Sequence, residues 1–180
     1  DENYIELAEI LEGEFGSLDG LVHNASILGQ RTPISNYESR TWQLVMHVNV
    51  TAPFMMTQAL LPLLETSDDA SIIFTSSSVG TQGKAYWGAY SVSKFATEGM
   101  AQVLSEETEN TSKIRVNIIN PGATRTNMRA QAYPGEDPAL NLAPEDIMPT
   151  YQYLLGPDSI GVTGQRFNAQ EMSQAPQQEI

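Results

Sequence analysis

Tyr90 and Lys94 stand four residues apart in the stretch YWGAYSVSK (86–94), and Ser77 lies thirteen residues before the tyrosine. A phenol titrates near ~10 and is a poor acid–base catalyst at neutral pH. A neighbouring ammonium favours the phenolate and lowers that value, so Tyr and Lys on one helical face form a unit able to give and take a proton. Stepping about one hundred degrees per residue from Tyr90 places Val92, Phe95, Ala96, Gly99 and Val103 on roughly the opposite side. The pair is therefore expected outside the apolar seam of its helix. Taken alone, Tyr-x-x-x-Lys also describes many surface pairs. Tyr86 falls in the loop ahead of the helix and reads as a packing or substrate-contact residue.

Ser77 closes an apolar stretch, where its hydroxyl can hold a carbonyl oxygen against Tyr90. The rival use of a serine is as a hydrolase nucleophile. That needs a base and usually a G-x-S-x-G elbow. TSSSVG (75–80) lacks the first glycine, and His23 and His47 are the only histidines. Neither has carboxylate or thiol partners at metal spacing, so both read as structural and no metal site is expected. Asn49 is unfavourable in mid-helix. Pro53, four residues later, has no N–H for the carbonyl of Asn49. A helix continuing through this point bends and leaves that carbonyl free for an ordered water; the alternative is two helices joined at Pro53. NPGATRT (120–126) turns the chain after a strand, and Thr124 and Thr126 can hold an amide or a phosphate.

These residues must be positioned by alternating elements. Ile5, Leu7, Ala8, Ile10 and Leu11 recur at helical spacing and stop at glycines. LDGLVHNAS, ASIIFTSSS, KIRVNIINPG and GVTGQRFNA read as strands. SRTWQLVMHVNVTAPFMMTQALLPLLE and YSVSKFATEGMAQVLSEETEN read as long helices, and APEDIMPTYQYLLG as a helix with Pro144 in its first turn. Residues 124–142 read as a mobile loop, with Met128, Tyr133 and Trp87 lining a partly apolar pocket. Alternating helices and apolar strands predict an α/β fold with a parallel sheet covered on both faces. Ligands bind beyond the carboxyl ends of such strands, where the polar ends HNAS, TSSS and NPGAT converge.

Composition narrows the partners. The chain has 180 residues, a net charge of −13 and no cysteine. The acidity argues against nucleic acid or an anionic membrane as partner. The lack of cysteine excludes disulfides and thiol chemistry and suits the cytoplasm. No apolar run is expected to reach the length of a membrane span, and no signal segment opens the chain. The sequons at Asn24, Asn49 and Asn110 therefore read as chance.

The ordered series HNAS, Asn49, Ser77, Tyr90, Lys94, NPG and Thr126 resembles the short-chain dehydrogenase/reductase family over nearly the whole chain. The resemblance implies a Rossmann-like doubly wound parallel sheet, NAD or NADP as cofactor, and hydride transfer between the nicotinamide and an alcohol or carbonyl carbon of a small molecule. It implies Tyr90 as the acid–base residue and Lys94 as the group that lowers its pKa and holds the nicotinamide ribose. Ser77 would orient the carbonyl or alcohol, and Asn49 would anchor a relay water. Asn24 and Ala25 would line the cofactor groove, and Pro121, Gly122, Thr124 and Thr126 would hold the carboxamide. It also implies a homodimer or homotetramer formed through the two long helices.

Two departures stand out. Ser26 replaces the usual glycine, and the strand–glycine-rich turn–helix that holds the pyrophosphate is absent. Gly13, Gly16 and Gly20 precede a strand instead of following one. The first βαβαβ half is thus expected to be missing, leaving residues 1–169 as a partial Rossmann-type domain and 170–180 as a polar, disordered tail. A non-catalytic interaction module is the alternative this leaves open.

Overall fold

In the computed structural model, which describes residues 2–173, four parallel strands carry the site. They are β1 (Gly20–His23), β2 (Ala70–Thr75), β3 (Ile114–Asn120) and β4 (Arg166–Asn168), in the order β1-β2-β3-β4. Register pairs Gly20 with Ser71, Ala70 with Ile114, and Ile118 with Arg166. The helices are α1 (Glu2–Phe15), α2 (Ser39–Met46), α3 (Ala52–Glu65), α4 (Gly88–Thr108), α5 (Asn127–Ala132), α6 (Met148–Leu155) and α7 (Ala169–Ser173).

β2 is buried along its whole length, and strand alternation sends its side chains to two cores. Ile72 and Phe74 join Leu60, Leu63 and Leu64 of α3 and Ala101 and Leu104 of α4 on one face. Ile73 and Ile119 meet Ile147, Tyr151 and Leu154 on the other. This second face also accepts polar groups because each finds a partner. Ser71 Oγ donates to the Leu154 carbonyl at 2.7 Å, and Asn117, fully enclosed, donates to the Val162 carbonyl at 2.7 Å. The expected α/β architecture, with helices on both faces of a parallel sheet, is thus present. α1 contributes little: Ala8 and Leu11 touch the first core, and none of its residues is fully buried.

Several expectations change. The long helix does run through Pro53, but by widening: α2 passes into a π turn (His47–Thr51) and then into α3. One extra residue in the turn accommodates a proline that cannot pair four residues back. By length and composition the combined helix, Ser39–Glu65 with mean hydropathy 1.3, is apolar enough to cross a membrane, contrary to expectation. Here Leu60, Leu63 and Leu64 pack on the sheet, while Leu44 and Phe54 stay exposed.

Residues 124–142 are ordered rather than loose. They hold α5, a bridge between Thr124 and Leu142, and an Arg129–Glu136 pair with bonds of 2.5 and 2.6 Å. Asn141 donates to the same carboxylate at 2.8 Å. The tail begins later than residue 170, because α7 runs on to Ser173 and Gln170 donates to the Ala123 carbonyl at 2.8 Å. Its remaining residues lie outside those described.

The face assignment of α4 is also reversed. Tyr90, Lys94, Thr97, Ala101 and Leu104 are buried, whereas Val92, Phe95 and Val103 are 41%, 45% and 59% exposed. The hydrophobic stripe is not the one that meets the sheet. The polar groups on the sheet side are satisfied by backbone, as when Ser93 Oγ donates to the Tyr90 carbonyl at 2.7 Å.

Candidate active site

The carboxyl ends of β1, β2 and β3 open onto a cleft of about 670 Å³. β1 delivers Asn24, Ala25 and Ser26 to its wall, and β2 delivers Thr75, Ser76 and Ser77. α4 supplies Trp87, Tyr90 and Lys94, and the turn after β3 supplies Pro121, Gly122, Thr124 and Thr126. Nine of the ten residues singled out from the sequence as catalytic or cofactor-binding line this one cavity, and only Asn49 does not; of the three expected to line an apolar pocket, Trp87 and Met128 are on the wall and Tyr133 is not. Sequence reasoning missed Ser76, Tyr151, Ile147 and Leu155. Nothing in the spacing of Ile147, Tyr151 and Leu155 marks them, because they reach the cleft through α6 and the turn before it, whereas Ser76 sits at the end of β2 beside Ser77.

Lys94 is 4% exposed and donates to the Thr75 carbonyl at 2.8 Å. Burial pulls its pKa down to about 8. A protonated Lys94 at neutral pH thus costs on the order of 3 kcal/mol of stability. That cost fades as pH rises from about 8 toward the 10.5 of an unfolded lysine.

Tyr90 is 7% exposed, and burial raises its pKa, with a hydrogen bond to Ser77 acting against the rise. The expected lowering by Lys94 is not what sets this tyrosine. The ammonium sits 5.5 Å from the ring centroid and spends a proton on Thr75 instead. At neutral pH the site therefore presents a protonated phenol beside a serine hydroxyl, which is the form able to donate to a carbonyl oxygen. Tyr86, by contrast, is 57% exposed, has φ +71° and does not line the cleft.

The Asn49 side chain acts as a clamp. Its Oδ1 accepts from the Ile27 amide at 2.8 Å, while Nδ2 donates to the Ile27 carbonyl at 2.9 Å and to Ser93 Oγ at 3.0 Å. It pins the segment after β1 to α4. The π turn is what brings this side chain inward.

The residues fit the nicotinamide and ribose end of a dinucleotide. Lys94 keeps donors beyond the one given to Thr75. Ser76 Oγ is buried with no hydrogen-bond partner among the described residues. Gly122 holds φ +72° on the wall, with Gln170 at 2.6 Å from where a Cβ would stand. For a pyrophosphate the described residues offer no glycine-rich turn between a strand and a helix; Gly16, at φ +73°, simply ends α1.

A parallel α/β sheet with a serine, a buried tyrosine and a buried lysine around one cleft at its strand ends defines a Rossmann-like oxidoreductase fold. The sequence profile of the family described as "short chain dehydrogenase" matches residues 1–137. The chain belongs to that family. It is 56% identical over 169 residues to the "Uncharacterized oxidoreductase YciK" of Escherichia coli (strain K12), covering 94% of this chain and 66% of that protein. A putative short chain dehydrogenase from Pseudomonas syringae superposes with a TM-score of 0.93 at 63% identity, over 94% of this chain and 68% of the other. A putative short chain dehydrogenase from Escherichia coli CFT073, complexed with NADPH, superposes at 0.90 with 55% identity, over 94% and 70%. The chain thus spans about two thirds of the length of these relatives.

Replacing Asn49 with Ala removes three hydrogen bonds at once. We expect a loss of roughly 2–3 kcal/mol in chemical denaturation and faster amide exchange at Ile27. Unchanged exchange at Ile27 would contradict the clamp.

Proposed function

We propose that this chain serves NAD(P)-dependent oxidation and reduction of an alcohol or carbonyl carbon in a small molecule, with Tyr90 as the acid–base residue. The observation that carries the reading is a buried, protonated phenol with the Ser77 hydroxyl acting on it and the Lys94 ammonium beside it, all on one cleft. A bound nicotinamide would supply the hydride in reduction and accept it in oxidation. Ser77 and Tyr90 hold the carbonyl oxygen, and Tyr90 gives it a proton in reduction or takes one from the alcohol in oxidation. Lys94 holds ribose hydroxyls and keeps a positive charge beside the phenolate as it forms. Pro121, Gly122, Thr124 and Thr126 hold the carboxamide end, and Asn24 and Ala25 line the groove. Asn49 keeps the wall after β1 in register with α4. Two relatives are described as complexed with NADP and NADPH, which favours the phosphorylated cofactor. Residues 1–169 supply the nicotinamide-binding and catalytic side of the domain. A cytoplasmic setting goes with a chain that has no cysteine.

Tyr90→Phe is expected to lower turnover of a carbonyl substrate by about a hundredfold or more while NADPH binding stays within about threefold. Retained turnover would remove Tyr90 from the chemistry. A folded chain that binds neither NADH nor NADPH would favour the interaction-module reading instead.

The proposed partner is a second copy. Val92, Phe95 and Val103 form an exposed apolar stripe on α4, and Phe54 on α3 is 51% exposed. Such surface on a long helix is the kind that pairs. Phe95→Glu should shift light-scattering mass from an oligomer to a monomer; an unchanged mass would place the contact elsewhere.

A further inference from the structure

Beyond the reacting groups, the cleft ends in donors without acceptors. Trp87 is 8% exposed, lines the cleft, and its Nε1 has no hydrogen-bond partner among the described residues. An indole nitrogen can only donate, and a buried donor left unpaired destabilises the fold until an acceptor meets it. The Trp87 ring lies 5.7 Å from Tyr90 on one side and 6.0 Å from Tyr133 on the other.

Around that outer end the few cations of an acidic chain collect. The Arg31 guanidinium lies 4.5 Å from the centroid of Trp87 and 5.1 Å from that of Tyr133. Arg129, itself on the cleft wall, lies 3.9 Å from the Tyr133 centroid. Lys84 donates to the Tyr133 hydroxyl at 3.1 Å. The carboxylate in this group is Glu136, and it is taken by Arg129. Arg31 and Lys84 form no salt bridge among the described residues, and Arg31 spends one N–H on the Ala132 carbonyl, leaving others free. The Tyr133 phenol is held below its ordinary value, by the Lys84 hydrogen bond first, which registers the positive potential there.

In a chain with nine basic and 22 acidic residues, an excess of positive charge at one end of a cleft is not a by-product of composition. The walls leading to it are apolar: Leu28, Met128, Ile147 and Leu155.

We propose that this end of the cleft receives an anionic group of the substrate, a carboxylate or phosphate carried on an apolar body whose reacting carbon lies at Tyr90. Trp87 Nε1 donates to it, and Arg31, whose guanidinium has no carboxylate partner among the described residues, neutralises it, with Lys84 adding charge from outside. The position of the reacting carbon rests on the oxidoreductase reading above; the anion site does not.

The test is calorimetric binding to the cofactor-free chain, using octanoate, octyl phosphate and 1-octanol as fragments. The expected result is saturable binding of at least one anion, at least tenfold tighter than octanol and weakened by salt. Whichever anion binds more tightly identifies the head group. Trp87→Phe and Arg31→Gln should each weaken anion binding by about fivefold or more and leave octanol unchanged. Lys84→Met, at an exposed position, repeats the charge test should either variant fail to fold. Equal affinity for octanol and both anions, or no saturable binding of either anion, would overturn the proposal. Because no cofactor or turnover enters the readout, a failed Tyr90→Phe test and a failed anion test are separable.

Discussion

A lysine taken out of water keeps its charge only where a fixed dipole meets it. In this chain the dipole is the Thr75 carbonyl, 2.8 Å from Lys94 at the point where β2 ends. That contact fixes how α4 lies over the sheet, and so where Tyr90, four residues earlier, presents its hydroxyl. Thr75 is bound from its other side as well, since its Oγ1 lies 3.1 Å from the Tyr151 hydroxyl on α6. One residue therefore ties the helices of both faces to the same strand end. The Asn49 clamp and the ordered α5 segment close the remaining sides.

The consequence for the chemistry is a division of the two protons. Burial acts oppositely on the two groups, raising the phenol and lowering the ammonium. Both are protonated at neutral pH without a ligand. The phenol is thus in the form that the proposed reduction of a carbonyl requires. The apolar walls run outward from this centre to a cationic rim, so the cleft has a reactive end and a charged end.

Much of this was legible in the residues. The four strands and the long helices follow from apolar periodicity, and the convergence of HNAS, TSSS and NPGAT follows from the parallel topology. Three things were not. The buried face of α4 was read from hydrophobicity, yet the helix buries serines, threonines and a lysine, because the sheet end supplies their partners and the apolar stripe is left outside. The order of residues 124–142 depends on Arg129 meeting Glu136 and on Tyr133 meeting three cations, pairings that proline and glycine content conceal. Asn49 was placed correctly in the helix, but its side-chain clamp on Ile27 and Ser93 comes with the π turn, which no spacing rule announces.

The most direct test of the account is the titration of Lys94 itself, followed by nitrogen and carbon resonances of labelled lysine in the chain, with Lys94→Met to assign the signal. The account predicts that Lys94 loses its proton near pH 8. A Lys94 that titrates near the ordinary 10.5 would mean the ammonium is solvated, and the organisation of the site around a buried cation would be wrong.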